Sequence, residues 1–385
     1  MPSPRLLQPL AVPAGKRALD VLPALRRALD GAGPALLPIP EDAAPADALG
    51  VGTPVEDDPA DPTALVIATS GSTGTPKGVL LSVSALRASA EATHAHLGGP
   101  GRWLLTMPAQ HIAGIQVLVR SLVAGTEPLA VDTADGFRPD RFAEAAEALA
   151  TAGPRYTAMV PTQLSRLLGD AGKGLAELRK FDAVLLGGAA TPPALLRRAV
   201  DEGVRVVTTY GMSETAGGCV YDGVPLPGAQ VRIDDGRILL SGPMLARGYR
   251  GRPDSPAFAN GWFHTGDLGR WADGRLEVLG RADDVIITGG VNVAPLPVER
   301  IIAEQDGVRE VCVLGVPDPE WGQAVVAAVV PADPGQPPSA EALRAEVRRL
   351  AGAAATPKDL VFLDELPLRG PGKPDRRLLA ERFAR

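Results

Sequence analysis

Short apolar runs bounded by turn residues recur along the first half of the chain. Residues 64–68 (ALVIA), 103–107, 156–160, 183–186 and 204–208 are each too short for a helix and end in Gly, Ser, Thr or Pro, which predicts buried strands. Between them, 139–152 and 193–202 space their apolar residues at helical period, as does 17–29 near the start. Strands alternating with helices predict α/β layers around a largely parallel sheet. From about residue 224 the pattern changes. Runs at 230–233, 237–240 and 275–278 are separated by turns bearing Gly and Asp, which predicts antiparallel structure. After Arg281 a compact α+β segment follows, with helices over 297–304 and 340–352 and strands over 308–316 and 324–330. Residues 40–62 are acidic and Pro-rich and read as loop, as do 332–339.

Composition narrows the class. A chain of 385 residues can bury a large core and suits two or three domains. A net charge of −6 without a basic block argues against a nucleic-acid partner. No run of eighteen apolar residues predicts a membrane span, and the first residues lack the apolar stretch of a signal peptide. Cys219 and Cys312 form neither a metal pattern nor a disulfide framework, so a cytoplasmic setting is expected. The basic residues are mostly arginine. A lysine inside a sharp motif therefore stands out, and Lys77 and Lys373 both do.

Thr69 to Gly78 reads TSGSTGTPKG, with three glycines, three threonines, two serines and one lysine directly after a predicted strand. Glycines let backbone N–H groups approach an anion, hydroxyls donate to it, and lysine adds charge. The loop differs from the G-x-x-x-x-G-K-[ST] phosphate loop, because its lysine stands between Pro and Gly. Further along stand GGAA from Gly187, YGMSET from Tyr210, WFHTGDL from Trp262, GRADDVII from Gly280 and PLRGPGKPDR from Pro367.

In this order these strings resemble the motifs of the adenylate-forming superfamily: acyl-CoA synthetases, adenylation domains of peptide synthetases, and luciferases. The resemblance covers residues 66 to 376. It implies a large AMP-binding N-terminal domain, 1–282, of α/β subdomains with a small β-rich subdomain. It also implies a small mobile α+β C-terminal domain, 283–385, with a hinge near Asp283. Thr69, Ser70, Gly71, Ser72, Thr73, Gly74, Thr75 and Lys77 would hold the ATP phosphates. Gly188 and Ala189 would line the adenine pocket, and Tyr210 with Gly211 would stack on the base. Ser213 would meet the α-phosphate and Glu214 would bind Mg²⁺. An aromatic face suits a purine, and a carboxylate suits a hard cation. Asp267 would accept both ribose hydroxyls, as a carboxylate can, with Arg281 also reaching the ribose. Gly289 and Gly290 would pass the pantetheine arm of coenzyme A. Lys373 would bridge the substrate carboxylate and the α-phosphate.

The activity so implied uses ATP, Mg²⁺ and coenzyme A to activate a small carboxylic acid as an acyl-adenylate and then as a thioester. Within the superfamily, residues 107–125 (MPAQHIAGIQVLVRSLVAG), 210–218 and the short front most resemble the ligases that act on 2-succinylbenzoate, on the route to menaquinone. That resemblance sets His111 beside the acyl pocket, whereas a lone histidine is otherwise read as a satisfied core residue. The aromatic carboxylate of such a substrate calls for an arginine, and Arg120 is one candidate. Another aryl- or acyl-CoA ligase, a free-standing enzyme loading a carrier protein, and a non-catalytic acyl-adenylate sensor share the same motifs. The reduced front leaves the choice between monomer and homo-oligomer open.

Overall fold

The computed structural model describes residues 4–69, 76–149, 152–368 and 374–383. The chain divides into two compact units. One comprises Met1–Gly187, Ala199–Arg232 and Leu239–Thr265; the other comprises Gly188–Arg198, Ile233–Ile238 and Gly266–Arg385.

The chain begins β1 (Leu7–Val12), α1 (Leu22–Leu29), β2 (Ala35–Pro40), β3 (Thr63–Thr69), β4 (Lys77–Ser82), α2 (Val83–Leu97), β5 (Arg102–Leu105), α3 (Ile112–Ala124) and β6 (Leu129–Ala130). It continues α4 (Pro139–Ala148), β7 (Arg155–Met159), α5 (Pro161–Asp170), α6 (Lys173–Leu178), β8 (Ala183–Leu186), α7 (Pro193–Asp201), β9 (Val206–Met212), β10 (Gly217–Tyr221) and β11 (Val224–Pro225). Short strands follow: β12 (Gln230–Asp234), β13 (Arg237–Ser241), β14 (Gly248–Tyr249), β15 (Phe258–Ala259), β16 (Trp262–Ala272) and β17 (Arg275–Arg281). The last stretch is β18 (Ile286–Thr288), β19 (Val291–Val293), α8 (Pro295–Ala303), β20 (Val308–Asp318), β21 (Gly322–Pro331), α9 (Ala340–Ala351), β22 (Asp359–Phe362) and α10 (Arg376–Phe383).

The first unit holds two sheets. One has the order β1-β2-β3-β4-β14, the other β11-β10-β9-β8-β7-β5-β6. In the second sheet the strands from β9 to β6 are parallel, as the alternating pattern predicts, and β10 and β11 extend it antiparallel. One core joins both sheets with Leu25 of α1, Leu86 of α2 and Ile115 of α3. The predicted helix over 17–29 is a 3-10 segment, Gly15–Val21, followed by α1. Pro23 explains the change, since proline is tolerated in the first turn of an α-helix and not in its interior.

In the second unit β16 and β17 form an antiparallel hairpin. A five-stranded sheet, β19-β18-β21-β20 with β22 against β21, carries helices on both faces. The period-2 alternation of β21 decides this. Val325, Ala327 and Val329 pack with Val298 of α8 and Leu343 of α9. Val326, Ala328 and Val330 pack with Leu379 of α10. The molecule is thus of the α/β class, with antiparallel structure in its later part.

Candidate active site

Strands β3 and β4 bracket the Gly/Ser/Thr loop in antiparallel register, Thr69 opposite Lys77 and Ala68 opposite Gly78. The Thr69 hydroxyl donates to the Lys77 carbonyl at 3.4 Å. A Cβ on Gly78 would lie 2.8 Å from Val66 Cγ1 and 3.1 Å from Leu49 Cδ2, so only glycine fits there. Ser70, Gly71, Ser72, Thr73, Gly74 and Thr75 lie outside the described residues, as does Lys373.

Tyr210 and Gly211 lie near the end of β9, before its last residue Met212, and a single 3-10 turn, Ser213–Thr215, leads into β10. Gly211 faces Gly218 across the pair, and a Cβ on it would come within 2.6 Å of Gly218 Cα. The turn is fastened from inside. The Thr215 hydroxyl, fully buried, accepts from the Met212 amide at 3.0 Å and lies 2.7 Å from the Gly217 carbonyl. Ser89 of α2 and Gln116 of α3 both donate to the Ala216 carbonyl, at 2.8 and 2.6 Å. Ala216 has φ +48°, a conformation held by these bonds. Ser213 and Glu214 are thereby presented on a rigid corner.

A residue outside the sequence-predicted set joins two motifs here. The Tyr249 hydroxyl donates to Glu214 Oε1 at 2.7 Å, and Lys77 Nζ stands 5.1 Å from the centre of the Tyr249 ring. Tyr249 lies on a two-residue strand, too short for any periodicity to announce.

The second unit carries its own set. Gly188 follows β8 with φ +80°, which favours glycine, and Ala189 is next to it. Asp267 is buried and lies opposite Arg281 across the hairpin. Arg281 Nη1 donates to Asp267 Oδ1 at 3.2 Å, and its Nη2 stands 3.6 Å from Asp283 Oδ2. One guanidinium therefore serves both the expected ribose carboxylate and the expected hinge residue. Gly289 and Gly290 form the two-residue turn between β18 and β19, with φ +55° and +78°. Positive φ at both positions is the type I′ geometry, one of the two that close such hairpins tightly.

His111 is not a core histidine, the alternative to a place beside the acyl pocket. It stands exposed at the N-cap of α3, where its carbonyl accepts from the Gly114 and Ile115 amides at 3.0 Å. The buried histidine is His94 instead. Burial, with the charge of Arg120 adding to it, pushes its pKa down to about 4. Trp103 Nε1 donates to His94 Nε2 at 3.4 Å, which requires an unprotonated nitrogen there. Arg120 is 4% exposed. It lies over the Trp103 ring at 5.0 Å and donates to the Tyr221 hydroxyl at 3.4 Å, and among the described residues its Nε has no hydrogen-bond partner.

Comparison with known proteins identifies the family. Residues 11–250 match the AMP-binding enzyme family and residues 297–373 its AMP-binding enzyme C-terminal domain. A probable 2-succinylbenzoate–CoA ligase of Mycobacterium tuberculosis is 47% identical over 384 residues, 98% of this chain and 99% of that one. The 2-succinylbenzoate–CoA ligase of Bacillus anthracis is 35% identical over 82% of this chain and 69% of its own length. Among solved structures, the amide bond synthetase McbA from Marinactinospora thermotolerans matches with a TM-score of 0.79 at 27% identity, covering 100% of this chain and 90% of that one. The o-succinylbenzoate CoA synthetase MenE from Bacillus subtilis, solved with the acyl-adenylate OSB-AMP, matches with a TM-score of 0.76 at 25% identity, covering 98% and 88%. Motif geometry, both family matches and near-full-length identity converge, and the chain belongs to the adenylate-forming, AMP-binding enzymes.

Proposed function

We propose that this protein is an AMP-forming acid–CoA ligase that converts 2-succinylbenzoate, ATP and coenzyme A to 2-succinylbenzoyl-CoA, AMP and diphosphate for menaquinone biosynthesis. The observation that carries the ATP chemistry is the convergence of Lys77 and Glu214 on Tyr249, a cation and a carboxylate on one corner. The acid is supported by the M. tuberculosis relative, matched along 98% of this chain.

In the first half-reaction the succinyl carboxylate attacks the α-phosphorus, a P–O bond forms and diphosphate leaves. In the second the coenzyme A thiol attacks the acyl carbon, its proton passes to solvent, a C–S bond forms, the C–O bond to the phosphate breaks, and AMP leaves with the bonding electrons. Two anions must meet in the first step, so charge neutralisation and positioning dominate its catalysis. Lys77, Thr69 and the loop from Ser70 to Thr75 hold the β- and γ-phosphates. Ser213 holds the α-phosphate, Tyr210 and Gly211 meet adenine, as do Gly188 and Ala189, and Asp267 with Arg281 holds the ribose. Lys373 neutralises the reacting carboxylate and phosphate. Gly289 and Gly290 admit pantetheine once the C-terminal domain, 283–385, has turned about Asp283 against the domain of residues 1–282. His111 serves beside the acyl pocket.

Mg²⁺ fits this residue set. It keeps water and substrate phosphates as ligands and needs only one or two carboxylates. Glu214 supplies one carboxylate, with Oε1 engaged by Tyr249. Among the described residues no cluster of three or more acidic, His or Cys groups forms a dedicated cage. Bound there, the metal would screen phosphate charge.

Arg120 is the partner proposed for the aromatic carboxylate. This buried guanidinium lies over a ring face and donates to a phenol hydroxyl, and among the described residues no carboxylate pairs with it to offset its desolvation. A cytoplasmic location fits two buried, unbridged cysteines. Among the described residues no helix is long and apolar enough to cross a membrane.

The test is diphosphate release with Mg·ATP and a panel of acids that includes 2-succinylbenzoate, with and without coenzyme A. Release with 2-succinylbenzoate, and an acyl-CoA product when coenzyme A is added, is the expected result. Turnover of other acids alone would keep the ligase and discard this substrate. An adenylate that forms but is never passed to coenzyme A would point to a carrier-protein acceptor.

A further inference from the structure

Tyr249 stands where three separate parts of the first unit meet. Strand β14 pairs with β4, Tyr249 opposite Val79 and Gly248 opposite Leu80. Lys77 precedes Val79 by two residues on β4, so its side chain leaves the same face of the sheet as Val79 and the opposing Tyr249. That geometry brings the ammonium over the ring. From the other direction, the Ser213–Thr215 turn brings Glu214 Oε1 to the hydroxyl. Tyr249 is 5% exposed, with Phe258 edge-on at 5.2 Å.

The residues beside it are fastened unusually well. The Arg247 amide donates to the Leu80 carbonyl at 2.9 Å, and the Arg250 amide to the Gly78 carbonyl at 2.8 Å. Their guanidinium groups reach into the acidic, Pro-rich segment that precedes β3. Arg247 donates to Thr63 Oγ1 at 3.1 Å and lies 3.7 Å from Asp57. Arg250 donates to the Gly50 and Pro54 carbonyls at 2.9 and 3.0 Å and pairs with Glu56 at 3.3 Å. Two residues of strand would be a poor support without such a clasp.

We propose that Tyr249 is a positioning residue for the metal-bound nucleotide. Its hydroxyl fixes one oxygen of Glu214 and so turns the other toward Mg²⁺, while its ring holds the Lys77 ammonium on the phosphate side of the same corner. The proposal rests on the reading of Glu214 as the metal-binding carboxylate. A carboxylate free to rotate would have to be ordered by each incoming Mg·ATP, and the affinity would fall accordingly.

The test is a double-mutant cycle read by binding. The affinity of α,β-methylene-ATP is titrated against MgCl₂ in the wild type, Tyr249→Phe, Glu214→Gln and the double variant, with thermal unfolding recorded for each. Phenylalanine keeps the ring over Lys77 and removes only the hydroxyl. Tyr249→Phe is expected to raise the half-saturating Mg²⁺ concentration about tenfold, in keeping with the loss of one hydrogen bond to a charged group. In the Glu214→Gln background the same change is expected to do nothing further. An equal shift in both backgrounds, or none in the wild-type background, overturns the proposal. Should Glu214→Gln itself leave the Mg²⁺ dependence unchanged, the metal assignment falls and takes the proposal with it. The choice of acid substrate does not enter this measurement.

Discussion

The least comfortable residue in the first unit is Arg120. Its charge is buried on α3, and among the described residues Nε has no hydrogen-bond partner. A substrate carrying a second carboxylate would give that charge its partner, and a guanidinium can engage it through two parallel bonds where an ammonium cannot. Arg120→Lys should therefore raise KM for 2-succinylbenzoate about 100-fold, the scale of a lost bidentate pair. The same variant should leave KM nearly unchanged for 4-oxo-4-phenylbutanoate, which lacks the aromatic carboxylate. Equal losses for both acids would mean that Arg120 supports the fold and does not read the substrate. Its neighbour His94 makes a separate, pH-dependent prediction. Unfolded, His94 takes up a proton below its usual 6.5; folded, it stays neutral down to about 4. The unfolded chain then binds more protons in that interval, so stability falls as pH drops from about 6.5 to about 4 and is insensitive to this group above it. His94→Gln can still accept from Trp103 Nε1 and does not titrate. Thermal unfolding at pH 7 and pH 5 should show a larger fall in Tm for the wild type than for the variant.

At the scale of elements, the β9–β10 corner works because it has no room. Gly211→Ala would drive a methyl group into Gly218 Cα and the Cys219 amide, 2.6 and 2.9 Å from its Cβ. Backbone must shift, at a cost of about 1–3 kcal/mol. Urea unfolding should show that loss, and ATP affinity should fall with it because Ser213 and Glu214 move with the corner. The strings at this corner and at Gly289–Gly290 stood out in the sequence through the family resemblance, but their hairpin geometry did not, because it depends on which strands pair. Buried parallel strands such as β7 and β8 were legible from short apolar runs between helices. Strands β1 and β2 were not, because Pro9, Pro38 and Pro40 argue against strand. Structure resolves this through pairing: β1 is an edge strand, and β2 meets β3 only at Leu36 opposite Leu65, before its prolines. Tyr249 was illegible for another reason. Its role depends on partners distant in sequence, Glu214, Lys77 and the segment clasped by Arg247 and Arg250, and a two-residue strand shows no pattern of its own.

At the scale of the molecule, the proposed mechanism requires one chain to build two catalytic arrangements in turn, and the hinge must yield easily for that. The contacts of Asp283 are of the right kind. It lies in a 3-10 turn, Ala282–Asp284, and its pair with Arg281 at 3.6 Å is between side chains 74% and 50% exposed. An exposed pair of this kind contributes little, so Arg281 can release Asp283 while keeping its shorter bond to the buried Asp267. Asp283→Ala should accordingly change neither half-reaction much. Asp283→Pro differs, since the ring fixes φ and removes the rotation itself. It should leave diphosphate release intact and slow thioester formation about 100-fold. Lys373→Ala should do the reverse, lowering adenylate formation by roughly 10²–10³ while sparing thioester formation from supplied acyl-adenylate. Single-turnover assays of the two half-reactions separate these effects. Opposite losses in the two variants would assign the lysine to the first arrangement and the hinge to the passage between them. Equal losses in both half-reactions, in either variant, would mean that a single arrangement serves both steps and that Asp283 is an ordinary turn residue.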